Sequence, residues 1–110
     1  MIDYDDLNKW DVWLAAVKFE DKPDVIKERP VIIYDKHKAF LLSFKVTGQM
    51  PRKNFAGEYV LQEWKEAGLD TVSVVRTEQQ LKLVPQDFRK KLGHLRTRDI
   101  MALKVIMLGW

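Results

Sequence analysis

Cationic side chains and one hydroxyl flank the apolar runs of the sequence: Arg29, Lys45, Thr47, Arg52, Lys53 and Arg76. An arginine beside a hydroxyl group can bind a phosphate through two parallel N–H donors and stabilise negative charge that builds up on its oxygens. Arg29 precedes one apolar run, and Thr47 ends the next. If these runs pair as a hairpin, the two side chains favour phosphodiester recognition or chemistry. The alternative interpretation is a surface arginine beside a strand-terminal threonine.

Other catalytic constellations are absent from the sequence. It contains no cysteine and only two histidines, His37 and His94, which excludes thiolate and histidine-rich metal sites, cysteine nucleophiles and disulfides. A glycine-rich phosphate loop, a G-x-S-x-G elbow and an H-E-x-x-H motif are also missing. The sequence therefore predicts no cofactor and no metal. We expect His37 to be a surface residue and His94 to be structural.

Two neighbouring apolar runs must position Arg29 and Thr47. The pattern predicts strands over residues 10–19, 30–34 and 39–47, with a polar loop at 20–24 and a turn at 35–38. Because Pro30 cannot donate a hydrogen bond to a neighbouring strand, we expect the second strand to begin near it. A four-residue turn suits an antiparallel hairpin of the second and third strands. The start of one strand then lies beside the end of the other, which places Arg29 next to Thr47.

Short elements fill the second half of the chain. The pattern predicts an exposed loop at 48–57, a strand at 58–61, a helical turn at 62–67 closed by Gly68, strand-like segments at 71–76 and 81–84, a short helix at 85–92 and an amphipathic C-terminal helix from Thr97. The two strand-like segments form either one long bent strand or two. This order of elements argues against a parallel α/β sheet. The predicted fold is mainly β with helices, as a small antiparallel β barrel with a C-terminal α-helix.

Length and composition fit a single domain over residues 1–110. The 110 residues are too few for two domains, and 46% hydrophobic with 32% charged residues suits a soluble globular chain. The N-terminus is acidic, unlike a signal peptide, and no apolar run approaches the roughly 18 residues of a membrane span. We therefore expect a cytoplasmic protein without membrane association.

The charge is distributed unevenly along the chain. The formal net charge is +3, but residues 1–24 carry seven acidic residues against three basic ones, and residues 25–110 carry nine against sixteen. This asymmetry favours an anionic partner for the later part of the chain, of which nucleic acid is the commonest. An ordinary solvated surface is the alternative interpretation.

Several motifs, taken in order, resemble the PemK/MazF toxins of bacterial toxin–antitoxin systems over about residues 9–108. They are Trp10-Asp11-Val12-Trp13-Leu14-Ala15, Glu28-Arg29-Pro30-Val31-Ile32-Ile33, Val46-Thr47, Val74-Val75-Arg76, Leu81 and Gly93-His94-Leu95. The Arg-Pro-Val entry to the second strand is the most specific of them. Two departures from the family pattern are visible. Trp10-Asp11 stands where the family has Gly-Asp, and residues 23–28 replace a glycine-rich stretch.

The resemblance implies an SH3-like barrel of the CcdB/PemK type, a homodimer, and sequence-selective, metal-independent cleavage of single-stranded RNA by attack of the ribose 2′-hydroxyl. It puts Arg29 and Thr47 at the two catalytic positions of the family. We expect the RNA backbone to contact Lys45, Arg52, Lys53 and Arg76. The partner would be an acidic antitoxin bound at the loop of residues 48–55. The alternative is a protein-binding toxin that targets gyrase, as the related CcdB toxins do, or one that has lost catalysis.

Overall fold

The computed structural model describes residues 2–19, 22–37, 41–48 and 57–108. Its elements are a 3₁₀ turn (Tyr4–Asp6), β1 (Asp11–Phe19), β2 (Lys22–Lys36), β3 (Leu41–Thr47), β4 (Glu58–Val60), β5 (Val74–Leu83), a second 3₁₀ turn (Pro85–Asp87), β6 (Phe88–His94) and α1 (Thr97–Leu108). The strands form one antiparallel sheet in the order β4-β5-β3-β2-β1-β6. The prediction of a mainly β, antiparallel fold with a C-terminal helix is confirmed.

Buried side chains cover both faces of the sheet. Residues 31–34 of β2 are all buried, because successive side chains point to opposite faces and each face carries its own apolar cluster. Ile32 packs in one cluster with Phe44 of β3, and Val31 packs in the other with Trp13 of β1. The absence of a solvent face explains why this strand is an unbroken apolar run in the sequence.

The β1–β2 hairpin is longer than predicted. β2 begins at Lys22, so the predicted start near Pro30 and the polar loop at residues 22–24 are both wrong. Pro30 instead lies inside β2, opposite Leu14 of β1. A proline is tolerated there because pairing with β3 starts only at Val31, which leaves one side of β2 open.

The predicted β2–β3 hairpin is present. The two strands pair antiparallel, and β3 lies within the predicted strand at 39–47. β2 runs on to Lys36, so residues 35 and 36 belong to the strand and not to the predicted turn. Residue 38 of that turn and residues 49–56 of the predicted exposed loop lie outside the described residues.

A strand replaces the helix predicted over residues 85–92. Only Pro85–Asp87 is helical, as a 3₁₀ turn in which the Val84 N–H donates to Asp87 Oδ2 at 2.9 Å. The chain then pairs with β1 as β6, and the ring of Phe88 packs edge-on against Trp13, with 5.9 Å between centroids. Sheet pairing and the burial of Phe88 outweigh the local helix-start signal of the proline.

The predicted strand-like segments at 71–76 and 81–84 overlap one strand, β5, which begins only at Val74 and ends at Leu83. Its pairing with β3 shifts at one point, because Phe44 pairs with Gln80 whereas Lys45 pairs with Arg76. The residues between Arg76 and Gln80 therefore bulge out of the β3 ladder, which bends the strand.

The C-terminal helix buries one of its two apolar rows. Leu103 is fully buried and Ile100 packs against the same cluster. The second row consists of Met101, Val105 and Leu108, at spacings of four and three residues, and these side chains are 58%, 46% and 71% exposed. We call this second row the α1 stripe. It is an apolar helix face without a partner in the described part of the chain.

Candidate active site

The end of the β2–β3 hairpin lines a cleft of about 230 Å³. Val31 pairs with Lys45, and Arg29 and Thr47 each lie two residues beyond this pair, on β2 and at the end of β3. Arg29, Lys45 and Thr47 all line the cleft. Arg29 is exposed, and its Nη1 donates to the adjacent carbonyl of Glu28 at 3.2 Å. The structure therefore brings an arginine, a lysine and a threonine to one small site.

Of the other predicted RNA contacts, Arg76 is not among the described residues that line this cleft. Arg76 pairs with Lys45 across β3 and β5, but its side chain is only 11% exposed and its Nε lies 3.7 Å from Glu58 Oε2. Arg52 and Lys53 lie outside the described residues. Lys45 is thus the second cation among the described lining residues, and Arg76 is a largely buried neighbour whose charge is partly balanced by Glu58.

Residues 69–73 form the opposite wall of the cleft. Leu69, Asp70, Thr71 and Ser73 line it, and the end of β3 packs closely against them, since a Cβ added to Gly48 would lie 3.6 Å from Thr71 Cγ2. Sequence reasoning missed these residues. The pairing that brings them there, between Thr47 of β3 and the start of β5, is long-range and leaves no local signal.

A glycine turn sets the direction of this wall. The Leu69 N–H donates to the Trp64 carbonyl and the Gly68 N–H to the Lys65 carbonyl, both at 3.1 Å. Gly68 has a φ of 96°. This is the Schellman arrangement that ends a helical turn with a left-handed residue, and the predicted role of Gly68 is confirmed. Because the turn reverses the chain, Leu69 enters the core and Asp70 faces the cleft.

A buried carboxylate holds the same turn from the far end of the chain. Asp99 of α1 accepts hydrogen bonds from the Gln62 and Glu63 N–H groups at 2.9 Å each, and from the Tyr59 hydroxyl at 2.6 Å. The pKa of Tyr59 is raised well above its ordinary value, mainly by burial and secondly by this hydrogen bond to Asp99. Asp99 thus caps the first N–H groups of the turn that carries the cleft wall.

Two larger cavities lie elsewhere on the described surface. One of about 350 Å³ is lined by Lys18, Lys82 and Arg89 among others, and one of about 440 Å³ also includes Arg89. The Arg89 guanidinium already has partners within the protein. Its Nη1 donates to the Gln86 carbonyl at 2.5 Å, and its Nε lies 3.7 Å from Glu28 Oε2. The described lining residues of these two cavities do not combine an arginine with a hydroxyl side chain, so we place the candidate active site in the smaller cleft.

The two histidines lie away from the cleft. His94 Nδ1 lies 2.8 Å from Oδ1 of buried Asp11, which also accepts a hydrogen bond from the Asn8 N–H at 3.0 Å. His37 is exposed and lies 3.4 Å from Asp35. Both positions fit the structural and surface roles expected from the sequence.

Among the described residues, no three His, Cys, Asp or Glu side chains come together as a possible metal site. No helix in the described ranges is long and apolar enough to cross a membrane.

The six-stranded antiparallel sheet and its C-terminal helix have the fold of the MazF-type toxins. The structure is similar to the Mycobacterium tuberculosis toxin MazF-mt6, with a TM-score of 0.64 and 19% sequence identity over 90% of this chain and 93% of that chain. No protein-family model and no curated protein matches the sequence. The resemblance to MazF toxins predicted from the sequence is therefore confirmed at the level of the fold.

Proposed function

We propose that this protein is a sequence-selective endoribonuclease toxin of a type II toxin–antitoxin system, which cleaves single-stranded RNA without a metal and so arrests translation and growth. The observation that carries the proposal is the position of Arg29 and Thr47 in one cleft of a MazF-like fold. In this proposal the two side chains contact the scissile phosphate, and the protein acts in the cytoplasm.

The reaction is an internal transfer at phosphorus. The ribose 2′-oxygen attacks the adjacent phosphate, the bond to the 5′-oxygen breaks, and the products carry a 2′,3′-cyclic phosphate and a 5′-hydroxyl. Negative charge grows on the non-bridging oxygens. The Arg29 guanidinium donates to these oxygens, and the Thr47 hydroxyl adds a further donor. Because an arginine keeps its proton throughout the neutral range, Arg29 stabilises charge and does not carry the proton.

The size of the cleft suits part of a polymer. Its volume of about 230 Å³ is below the roughly 300–1,000 Å³ of pockets that enclose a whole small molecule. A phosphodiester can enter it while the rest of the strand runs over the surface. Lys45 contributes a second positive charge inside the cleft. Arg52, Lys53 and Arg76 are proposed to contact phosphates further along the RNA.

The proposed assembly is a homodimer that an acidic antitoxin inhibits. Exposed tryptophans do not support a dimer in the described part of the chain, because Trp10 and Trp13 are buried and Trp64 packs against the core. The support for a dimer comes from the α1 stripe, whose apolar side chains are exposed. The acidic antitoxin complements the excess of basic residues after residue 24.

The test is incubation of the purified protein with a long single-stranded RNA in EDTA. The proposal predicts discrete fragments with 2′,3′-cyclic phosphate and 5′-hydroxyl ends. Intact RNA together with growth arrest on expression would contradict it and point to a protein target, such as gyrase. The proposal also predicts that an adjacent gene encodes a short acidic protein and that co-expression of this protein restores growth.

A further inference from the structure

We propose that Asp70 is a further catalytic residue, which accepts the proton of the attacking ribose 2′-hydroxyl. The inference rests on the proposed ribonuclease function, for which Arg29 and Thr47 supply no base. A proton acceptor is still needed, because the 2′-hydroxyl must lose its proton as its oxygen bonds to phosphorus.

Asp70 is the candidate because of what else lines the cleft. Arg29 and Lys45 are cations, and the side chains of Thr47, Thr71 and Ser73 are hydroxyls. The Ser73 hydroxyl is already used as a donor to the Thr71 carbonyl at 2.8 Å. Asp70 contributes the only carboxylate among the described lining residues, and no described histidine lines the cleft. A carboxylate is the group in this set whose lone pairs are available for a proton at neutral pH.

The backbone around Asp70 is fixed on both sides. Leu69 is buried in the core and its N–H donates to the Trp64 carbonyl, while Ser73 is buried and its carbonyl accepts a hydrogen bond from the Leu61 N–H at 2.9 Å. Asp70 itself is exposed between these anchors. Because the segment is anchored on both sides, the exposed carboxylate keeps its place in the cleft lining, and a fixed position is what a general base requires.

The charges in the cleft allow a carboxylate beside an anionic substrate. Arg29 and Lys45 together outnumber Asp70, so the described part of the cleft keeps a net positive charge for the phosphate. In the proposed step the 2′-hydroxyl proton moves to Asp70 as the 2′-oxygen–phosphorus bond forms and the phosphorus–5′-oxygen bond breaks. The 5′-oxygen takes a proton from water, and Asp70 then returns its proton to the solvent.

The test is the single-turnover cleavage rate of a labelled single-stranded RNA in EDTA, measured over a range of pH for Asp70→Asn. We expect the rate at neutral pH to fall by about 100-fold or more, the effect typical of losing a general base. The pH profile of the variant should differ from that of the wild type, because an amide cannot act as a base. Affinity for an uncleavable 2′-O-methyl RNA should stay the same or increase, because a negative charge is removed.

Two control variants separate catalysis from structure. Asp70→Glu keeps a carboxylate and should recover a large part of the rate. Glu66→Gln removes an exposed carboxylate from the same segment, outside the cleft lining, and should cleave at the wild-type rate. Equal thermal melting of all variants would exclude a folding effect.

Three results would overturn the inference. Asp70→Asn could cleave within about threefold of the wild type with the same pH profile. It could cleave equally fast but at different sequences, which would make Asp70 a base-reading residue. It could also lose rate only in proportion to lost affinity, which would make it a binding residue. A wild-type protein that leaves RNA intact would instead refute the proposed function itself.

Discussion

Thr47 and Arg29 make different contributions to the proposed site because one is neutral and the other is charged. Thr47 is half-buried at the end of β3, opposite Val74 of β5, whereas Arg29 is exposed on β2. A hydroxyl donor to an anionic oxygen is weaker than a guanidinium, so its loss should have the smaller effect.

Thr47→Val tests the hydroxyl alone, since valine keeps the β-branched shape. A hydrogen bond to a charged group contributes roughly 1.5–3 kcal/mol, so single-turnover RNA cleavage should slow by about 10- to 100-fold. The free energy of unfolding should change by about 1 kcal/mol or less. Wild-type cleavage by Thr47→Val would remove this residue from the site.

Tyr59 links the stability of the protein to alkaline pH. Burial and the hydrogen bond to Asp99 raise its pKa in the folded state above the ordinary value of 10.0. The stabilisation that Tyr59 gives the folded state is fully present below pH 10. It is lost as the pH rises further, because the unfolded chain then releases a proton that folded Tyr59 retains. In Tyr59→Phe, the free energy of unfolding should therefore decline less steeply above pH 10.

Urea denaturation between pH 7 and pH 11 measures this slope. Part of the decline should persist in Tyr59→Phe, because burial and the nearby Asp35 also raise the pKa of Tyr34. At pH 7 the variant should lose about 1–2 kcal/mol, since Asp99 loses one of its donors. Parallel curves for wild type and variant above pH 10 would show that Tyr59 is not the group responsible.

Trp10 occupies a backbone conformation that favours glycine. Its φ is 71°, a left-handed value that costs a non-glycine residue roughly 1–2 kcal/mol. The side chain is buried in the core, and the backbone is held by hydrogen bonds from the Leu95 N–H and to the Ile33 carbonyl. Burial of an indole offsets the strain, which accounts physically for a tryptophan where the resembling family has glycine.

At the scale of elements, the cleft depends on the turn that ends at Gly68. A Cβ at this position would lie 1.9 Å from the Leu92 carbonyl oxygen of β6. Gly68→Ala combines that clash with a left-handed φ, so we expect a loss of about 2 kcal/mol or more in the free energy of unfolding. Gly48→Ala is the matched control, because its Cβ would make an ordinary contact at 3.6 Å. Equal stability of the two variants in urea would contradict this account of the turn.

Local patterns identified some elements and missed others for a physical reason. The β2–β3 hairpin and the Gly68 turn depend on short-range signals, so Arg29 and Thr47 could be placed together from the sequence. β6 and the wall at residues 69–73 depend on pairing with β1 and β3. No local signal marks those pairings. The sequence therefore did not identify Asp70 as a site residue, and residues 85–92 were predicted to be a helix.

For the whole molecule, the α1 stripe predicts how two copies associate. Met101→Glu places a charge in the stripe and should weaken the dimer by about 2 kcal/mol or more, or roughly 30-fold in Kd, because the charge is buried without a partner. Met107→Glu is the matched control, since Met107 is also exposed but lies more than a quarter turn away on the helix. Light scattering at micromolar concentration measures both. A monomeric wild type, or equal loss in the two variants, would contradict the assignment.

The central claim is that the cleft of Arg29 and Thr47 cleaves RNA, and the single-turnover rate of Arg29→Ala in EDTA tests it most directly. Loss of one charged transition-state donor should slow cleavage by about 100- to 1,000-fold, or about 2.7 to 4 kcal/mol. Stability should change by no more than about 0.5 kcal/mol, because Arg29 is exposed. Arg96→Ala, which removes an exposed arginine outside the cleft lining, should leave the rate unchanged. A folded Arg29→Ala that cleaves at the wild-type rate would contradict the account.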